Sequence, residues 1–409
     1  MNQRSLYKTI ESFDSKKFAS TEEMLSHILH QIVSNDRIEI QGGRVWKLDT
    51  VKNTYEVIAQ QGEVEKIKPN FSLKVDEYKL FKQLAMHRTI LAKETNEYLR
   101  SKGILKYSAT GVGELVTVKG NQLYPYILSF NTDVQHEIVA PTLNIISLAV
   151  TSMVKNRRIE RRTSQLQKDL DKAREIQRSI LPAHELQFHN YEMFGISIAD
   201  RIVGGDFFDY IMSEEKDRVG IVIGDAASKG ISAAVQALYV SGALRMGASY
   251  QTKISNLIHN INDLVHHTFS DDRFLTLFYA ELSNDLKGLC VYVNAGHSSP
   301  IIYRATTKSI EYLEATGNII GPFPNQLYRS EGMMLAKGDI MLLYTDGVSE
   351  AMDNLGVQYS EKRLAAKLCE LRNEKAQNIA RLIIEDVQIH SAKSKYSDDQ
   401  TIVVVKRIK

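Results

Sequence analysis

Cysteine is nearly absent from this chain of 409 residues. Its two thiols, Cys290 and Cys369, are too few for a disulfide framework, and both sit inside apolar segments, which suits a reducing compartment. No stretch approaches the ~18 consecutive apolar residues of a membrane span. The N-terminal MNQRSLYKTIESF lacks an apolar core of signal-peptide length, so the expectation is a soluble cytoplasmic protein without stable membrane insertion. Excess charge of one sign is missing too. With 51 Lys plus Arg against 49 Asp plus Glu the net charge is +2, far from the basic excess of a dedicated nucleic-acid binder, and no nucleic-acid partner is expected. CxxC, HExxH and GxxxxGK[ST] strings are lacking, which removes the residues of zinc-protease and P-loop chemistry. What is present is ordinary globular material: 43% hydrophobic and 24% charged residues, enough for substantial cores in two or three folded units.

Only seven prolines occur, and Pro141 and Pro182 bracket a segment without Gly or Pro. Pro141 suits the first turn of a helix, and a helix from there to Leu181 would be ~60 Å long. Within it Ile159, Thr163, Leu166, Leu170, Ala173, Gln177 and Ile180 follow a 4-3-4-3-4-3 spacing, the seam of a coiled coil. Basic residues outnumber acidic ones between 155 and 178 by nine to four, read as a solvated helix face.

Before the bracket, Thr21 is expected to cap a helix carrying Met24, Leu25, Ile28, Leu29, Ile32 and Val33 at helical spacing, with Glu22 and Glu23 in its first turn. Short β-rich runs follow at 42–49 and 54–62, and 113–120 with 124–130 reads as a hairpin joined at Gly120-Asn121. This order resembles a GAF domain, a sensor fold whose last helix commonly continues into a signalling helix. The region has no cysteine and no clustered histidines, which argues against a thiol-attached bilin or a zinc site. Trp46, the only tryptophan, is read as a core residue.

After Pro182 the pattern turns β-rich, with strands expected at 218–225, 274–282, 288–296, 299–305, 339–347 and 400–408, and helices at 230–246, 254–269, 360–371 and 377–392. Two buried sheets covered by helices would account for the mixture. Aspartates recur at the mouths of the most apolar strands, a costly place for a carboxylate unless something positive waits there. Asp206 lies in VGGDFFDY, Asp225 ends GIVIGD, Asp346 ends MLLYTDG, and Asp398 and Asp399 open SDDQTIVVV. A pair of hard cations, Mg²⁺ or Mn²⁺, needs several carboxylates and waters, and such a site activates water for phosphate-ester hydrolysis. Asp209 and Asp399 are read as turn or supporting residues rather than direct ligands.

Residues from ~170 onward resemble the SpoIIE/RsbU-type branch of the metal-dependent Ser/Thr protein phosphatases, the PPM superfamily. The matching strings are AREIQRSILP (173–182), VGGDFFD (203–209), IGDAASKGISAA (223–234), NAGHSSP (294–300), YTDGVSEAMDNLGVQYSEKRL (344–364) and SDDQTIVVV (397–405). The resemblance implies an αββα sandwich with its metal site at one edge. It matches Asp206, Asp225, Asp346 and Asp398 to the metal-binding acids, the backbone carbonyl of Ala226 to a further ligand, and Asp225 to the bridging position. It also implies two Mn²⁺ or Mg²⁺ ions and, as substrate, a phosphorylated STAS-domain anti-sigma-factor antagonist in a partner-switching pathway.

Ser228 stands where the family's DVSGKG string has glycine, which would cost roughly 1 kcal/mol if the position needs positive φ. His297 of NAGH is read as a loop-orienting residue, and Lys229 as a solvated lysine. The whole is thus expected to be an α+β chain: a GAF-like sensor and dimerisation domain (1–140), a signalling helix (141–181) and a phosphatase domain (182–409), with a homodimer formed through the first two. Two other readings remain open. One is a phosphatase-like scaffold that binds a STAS-like partner with little or no catalysis. The other is a nucleotide cyclase, because GGDFF resembles the GGDEF signature of diguanylate cyclases, although Phe207 stands where the glutamate would be.

Overall fold

The computed structural model describes residues 18–409 apart from 35–39, 64, 70, 132–135, 201, 249–252, 271, 286, 393 and 395–397. The chain divides into two compact units, Met1–Leu166 and Gln167–Lys409.

The first unit contains α1 (Thr21–Val33), β1 (Gly42–Asp49), β2 (Thr54–Gly62), β3 (Ser72–Lys74), α2 (Leu80–His87), β4 (Thr89–Lys93), α3 (Glu97–Ser101), β5 (Lys106–Val112), β6 (Val116–Val118), β7 (Asn121–Leu123), β8 (Tyr126–Asn131) and the start of α4 (His136–Ile180). Six strands form one antiparallel sheet in the order β3-β2-β1-β8-β5-β4. One face is covered by α1, through Leu25, Ile28 and Leu29, and by the early turns of α4, through Leu143, Ile146 and Val150. On the other face Trp46, Tyr55, Phe81, Leu84 and Tyr107 build a separate core.

Three details differ from the sequence expectation. The helix cap is Ser20, whose hydroxyl accepts from Glu23 N; Thr21 already lies in the first turn. The hairpin is the short β6–β7 pair turning at Lys119-Gly120, while β8 leaves it to pair with β1 and β5, where its apolar residues are buried on both faces. The long helix starts at His136, so Pro141 lies inside it rather than in its first turn.

The second unit adds β9 (Glu185–Phe188), β10 (Tyr191–Ile198), β11 (Phe207–Met212), β12 (Arg218–Ala226), α5 (Ile231–Ala248), α6 (Ile254–Thr268), β13 (Leu275–Ser283), β14 (Leu289–Ala295), β15 (Ile301–Arg304), β16 (Ser309–Tyr312), β17 (Glu331–Met334), β18 (Ile340–Tyr344), α7 (Asp346–Ser349), α8 (Glu361–Glu370), α9 (Ala376–Ser391) and β19 (Gln400–Arg407). Its sheets run β16-β15-β18-β19-β10-β9 and β11-β12-β13-β14-β17. Because side chains alternate along a strand, the unbroken apolar runs serve two layers at once. Val219, Ile221 and Ile223 of β12 meet Met341, Leu343, Val403 and Val405 between the sheets. Val222 and Ala226 turn outward onto α5 and α6, and Ile340, Leu342, Ile402 and Val404 onto α8 and α9. The result is the expected αββα sandwich. Cys290 is buried in the inter-sheet core and Cys369 is half-buried, both as free thiols.

Candidate active site

The site forms where four chain segments end at one rim of the sandwich. Asp206 immediately precedes β11, Asp225 lies one residue before the end of β12, Asp346 opens α7 one residue (Thr345) beyond the end of β18, and Asp398 lies two residues before β19. Glycines let these segments close on one another. A Cβ on Gly347 would lie 1.9 Å from the carbonyl oxygen of Asp399, and one on Gly204 would lie 2.5 Å from its carboxylate. That carboxylate accepts from the backbone N–H groups of Asp200 at 2.8 Å and Gly205 at 2.6 Å, so Asp399 fastens the GGD loop to the start of β19. Both carboxylate oxygens of Asp399 are thereby engaged by backbone N–H groups. Asp209, 2% exposed, instead forms an ion pair with Arg245 of α5, whose Nε lies 2.5 Å away.

Burial and mutual repulsion dominate the electrostatics. Asp206 is buried, and desolvation followed by the neighbouring Asp225 charge raises its pKa well above the carboxylate range. Desolvation, then Asp346 and Asp398, raise that of Asp225, while a hydrogen bond from Asp206 partly offsets the rise. Asp346 is raised by desolvation and then by Asp398. The four acids therefore sense one another across the rim. Lys229 is the nearby cation, an exposed lysine whose Nζ lies 2.9 Å from Asp398 Oδ2 in a solvated ion pair.

Among the described residues no three acidic, imidazole or thiol side chains already form a metal cage. The donor chemistry nevertheless suits a hard cation: the set is all oxygen, and its carboxylates are short of positive charge. Asp206, Asp225, Asp346 and Asp398 are the residues able to supply that set.

Two supporting residues escaped sequence reasoning. Thr345 Oγ1 donates to Asp206 Oδ2 at 2.6 Å and accepts from Thr401 N at 3.0 Å, tying β18, β19 and the GGD loop together. Gln177, read above as a seam position, is buried near the end of α4 and hydrogen bonds to the backbone of Gly204. A polar residue on an apolar stripe was the available signal. His297 is buried, its Nδ1 2.8 Å from Thr276 Oγ1, and burial lowers its pKa to about 4, so the ring is neutral and positioned within the fold. Ser228 does not adopt positive φ; Gly230 does, at 71°, and the anticipated backbone penalty at Ser228 does not arise. Phe207 is buried against the helical layer, where no acidic group of a cyclase would belong.

Residues 215–408 match the family described as Stage II sporulation protein E (SpoIIE). The chain is 26% identical over 248 residues to phosphoserine phosphatase RsbU of Bacillus subtilis, an alignment covering 59% of this chain and 71% of RsbU. It is also 26% identical over 269 residues to protein IcfG of Synechocystis, spanning 58% of this chain and only 41% of that longer protein. Among solved structures, the SiaA-PP2C domain of Pseudomonas aeruginosa superposes with a TM-score of 0.53 at 20% identity, covering 60% of this chain and 98% of that domain. The second unit therefore has the fold of the PP2C-type phosphatases. Within that class its likeness is to the SpoIIE family over residues 215–408 and to the RsbU-type phosphoserine phosphatases.

Proposed function

We propose that the second unit is a metal-dependent phosphatase that hydrolyses phosphoserine or phosphothreonine on a small STAS-domain protein of a partner-switching pathway. The reading rests above all on the rim aspartates: burial, and then neighbouring rim carboxylates, raise the pKa of Asp206, Asp225 and Asp346, which makes a site that is electrostatically incomplete without cations. Mn²⁺ or Mg²⁺, two ions in all, would be held by Asp206, Asp225, Asp346, Asp398 and the Ala226 carbonyl. Bound there, the ions supply an activated water and polarise the phosphoryl oxygen. The chain's own residues set the stage. Thr345 and Asp399 fix the GGD loop, the Asp206–Asp225 pair holds a proton until positive charge displaces it, and the Lys229 ammonium adds positive charge beside Asp398. A groove of about 260 Å³ runs past Lys229, Asp346, Glu350 and Asp398 and offers room for a phosphorylated side chain.

The first unit and α4 are read as the regulatory arm, with the GAF-like unit serving as sensor and dimerisation element. Residues 158–169 of α4 are exposed throughout, including Ile159 at 53% and Leu166 at 59%, apolar surface that a second copy of the helix would cover. Among the described residues no helix is long and apolar enough to cross a membrane, which is compatible with a cytoplasmic protein. The decisive experiment is phosphate release from purified phosphorylated STAS-domain proteins in Mn²⁺, in Mg²⁺ and in chelator. Metal-dependent release that Asp225→Ala abolishes is the expected result. A chain that binds such a partner yet releases no phosphate with either metal would be a scaffold instead. A monomer at micromolar concentration, by light scattering, would remove the dimeric arm.

A further inference from the structure

The second unit has a cleft of about 450 Å³ bounded by the end of α4, the end of β10 and the loop that leads into β11. Its volume lies within the roughly 300–1,000 Å³ of small-molecule sites. Leu181, Pro182, Ile198 and Ile202 line it, all four half-buried, so their apolar surface remains open to a ligand. Arg174 and Arg178 stand on its helical wall. About one helical turn apart, the two side chains are neighbours on one face and can reach a single group between them. Both are exposed, and among the described residues neither has a hydrogen bond, ion pair or ring contact. Elsewhere in the unit Arg218, Arg245, Arg304 and Arg363 each hold a carboxylate. The acid that lines the cleft, Asp206, is only 3% exposed. The cleft thus presents two unneutralised cations beside an apolar floor.

We propose that this cleft binds a small organic dianion, a phosphoryl or phosphonyl group carried on an apolar body, with the anion between Arg174 and Arg178 and the body against Ile198 and Ile202. Two positive charges match a dianion, and the guanidinium fork suits phosphoryl oxygens in bidentate fashion. Inorganic phosphate would use only the charged half of the cleft, and a neutral apolar molecule only the other. Gln177 lies between the two arginines in sequence and is hydrogen bonded to Gly204. An anion that fixes this end of α4 therefore also holds the GGD loop. Neither the arginines nor the apolar floor belongs to the groove beside Lys229, and binding here requires no metal and no catalysis.

Calorimetric titration of the full-length protein with phenylphosphonate, in chelator, tests the site. The carbon–phosphorus bond of this probe is not a phosphate ester, and without metal the rim aspartates do not attract an anion. Saturable binding is expected, at least about ten-fold tighter than that of inorganic phosphate, which lacks the apolar body, or of benzyl alcohol, which lacks the anion. Replacing both arginines, Arg174→Gln with Arg178→Gln, should weaken phenylphosphonate by about ten-fold or more. Because both side chains are exposed, the doubly substituted protein should melt as the wild type does. Lys229→Gln should leave binding unchanged, which assigns the ligand to the arginines rather than to the groove beside Asp398. Absence of saturable binding up to about 10 mM phenylphosphonate would overturn the proposal. So would equal binding of inorganic phosphate, or an affinity that Lys229→Gln removes and the arginine substitutions leave intact. A chain without phosphatase activity would still give the expected result, so failure of this site and failure of the phosphatase reading are told apart.

Discussion

Gln177 and Gly204 are joined by two hydrogen bonds: the Gln177 Nε2 donates to the Gly204 carbonyl at 2.7 Å, and its Oε1 accepts from the Gly204 N–H at 3.3 Å. One side chain near the end of α4 thereby satisfies both polar groups of a backbone position two residues before Asp206. Rotation or displacement of this last stretch of helix would release the GGD loop. Gln177→Ala is expected to lower phosphatase activity by about ten-fold or more, chiefly as a higher metal requirement, because the loop must then be ordered when metal binds. A Mn²⁺ titration of activity reads this directly, and an unchanged half-saturating metal concentration would argue against the coupling.

Asp225 supplies a test of opposite sign for stability and activity. Its folded pKa is raised by burial and by Asp346 and Asp398, so the folded state binds more protons than the unfolded chain, and stability falls as pH rises through the carboxylate range toward the folded pKa. In chelator at pH 7.5, Asp225→Asn should melt higher than wild type, by on the order of 2 kcal/mol. It should nevertheless be inactive and gain nothing from Mn²⁺. Thermal melts with and without metal separate the two effects.

His297 titrates in the other sense. Burial lowers its folded pKa to about 4 from an ordinary 6.5. The stability of the neutral ring is therefore fully present above pH 6.5 and lost as pH falls toward 4, by about 3 kcal/mol in all. Replacement by Gln should flatten the dependence of the denaturation midpoint on pH across this window, and an unaltered slope would assign the acid sensitivity to other groups.

Gly347→Ala places a methyl group against backbone. The new Cβ would fall 1.9 Å from the Asp399 carbonyl oxygen, an overlap that a side-chain rotation does not relieve. A loss of about 2–4 kcal/mol is expected, together with weaker metal binding, since Asp346 and Asp398 flank the contact. By contrast, Gly230→Ala meets no nearby atom and should cost only about 1 kcal/mol for its positive φ. Parallel melts of the two variants distinguish steric overlap from backbone strain.

Much of the second unit was legible because its chemistry is local. Strands such as β12, β18 and β19 are so apolar that burial on both faces is the stable outcome, and an aspartate at the end of such a run stands out. Less legible were β9 and β11, short segments whose mixed residues become strands only because β10 and β12 offer them an edge. Likewise Ser20 rather than Thr21 caps α1, a difference of one residue between two equally capable hydroxyls that only the chain's approach decides.

Sequence alone determined the apolar strands of the second unit, the long helix, the four aspartates at strand ends and the glycines beside them, because periodicity and the cost of burying charge act within a few residues of chain. Tertiary structure decided which acids meet which partners. It gave Asp399 to the GGD loop and Asp209 to Arg245, turned Gln177 from a seam position into a clamp on Gly204, and brought Arg44 within the attraction of Glu94. Those pairings join residues far apart along the chain, and their energies arise from desolvation and distance, neither of which is defined until the sheets have closed.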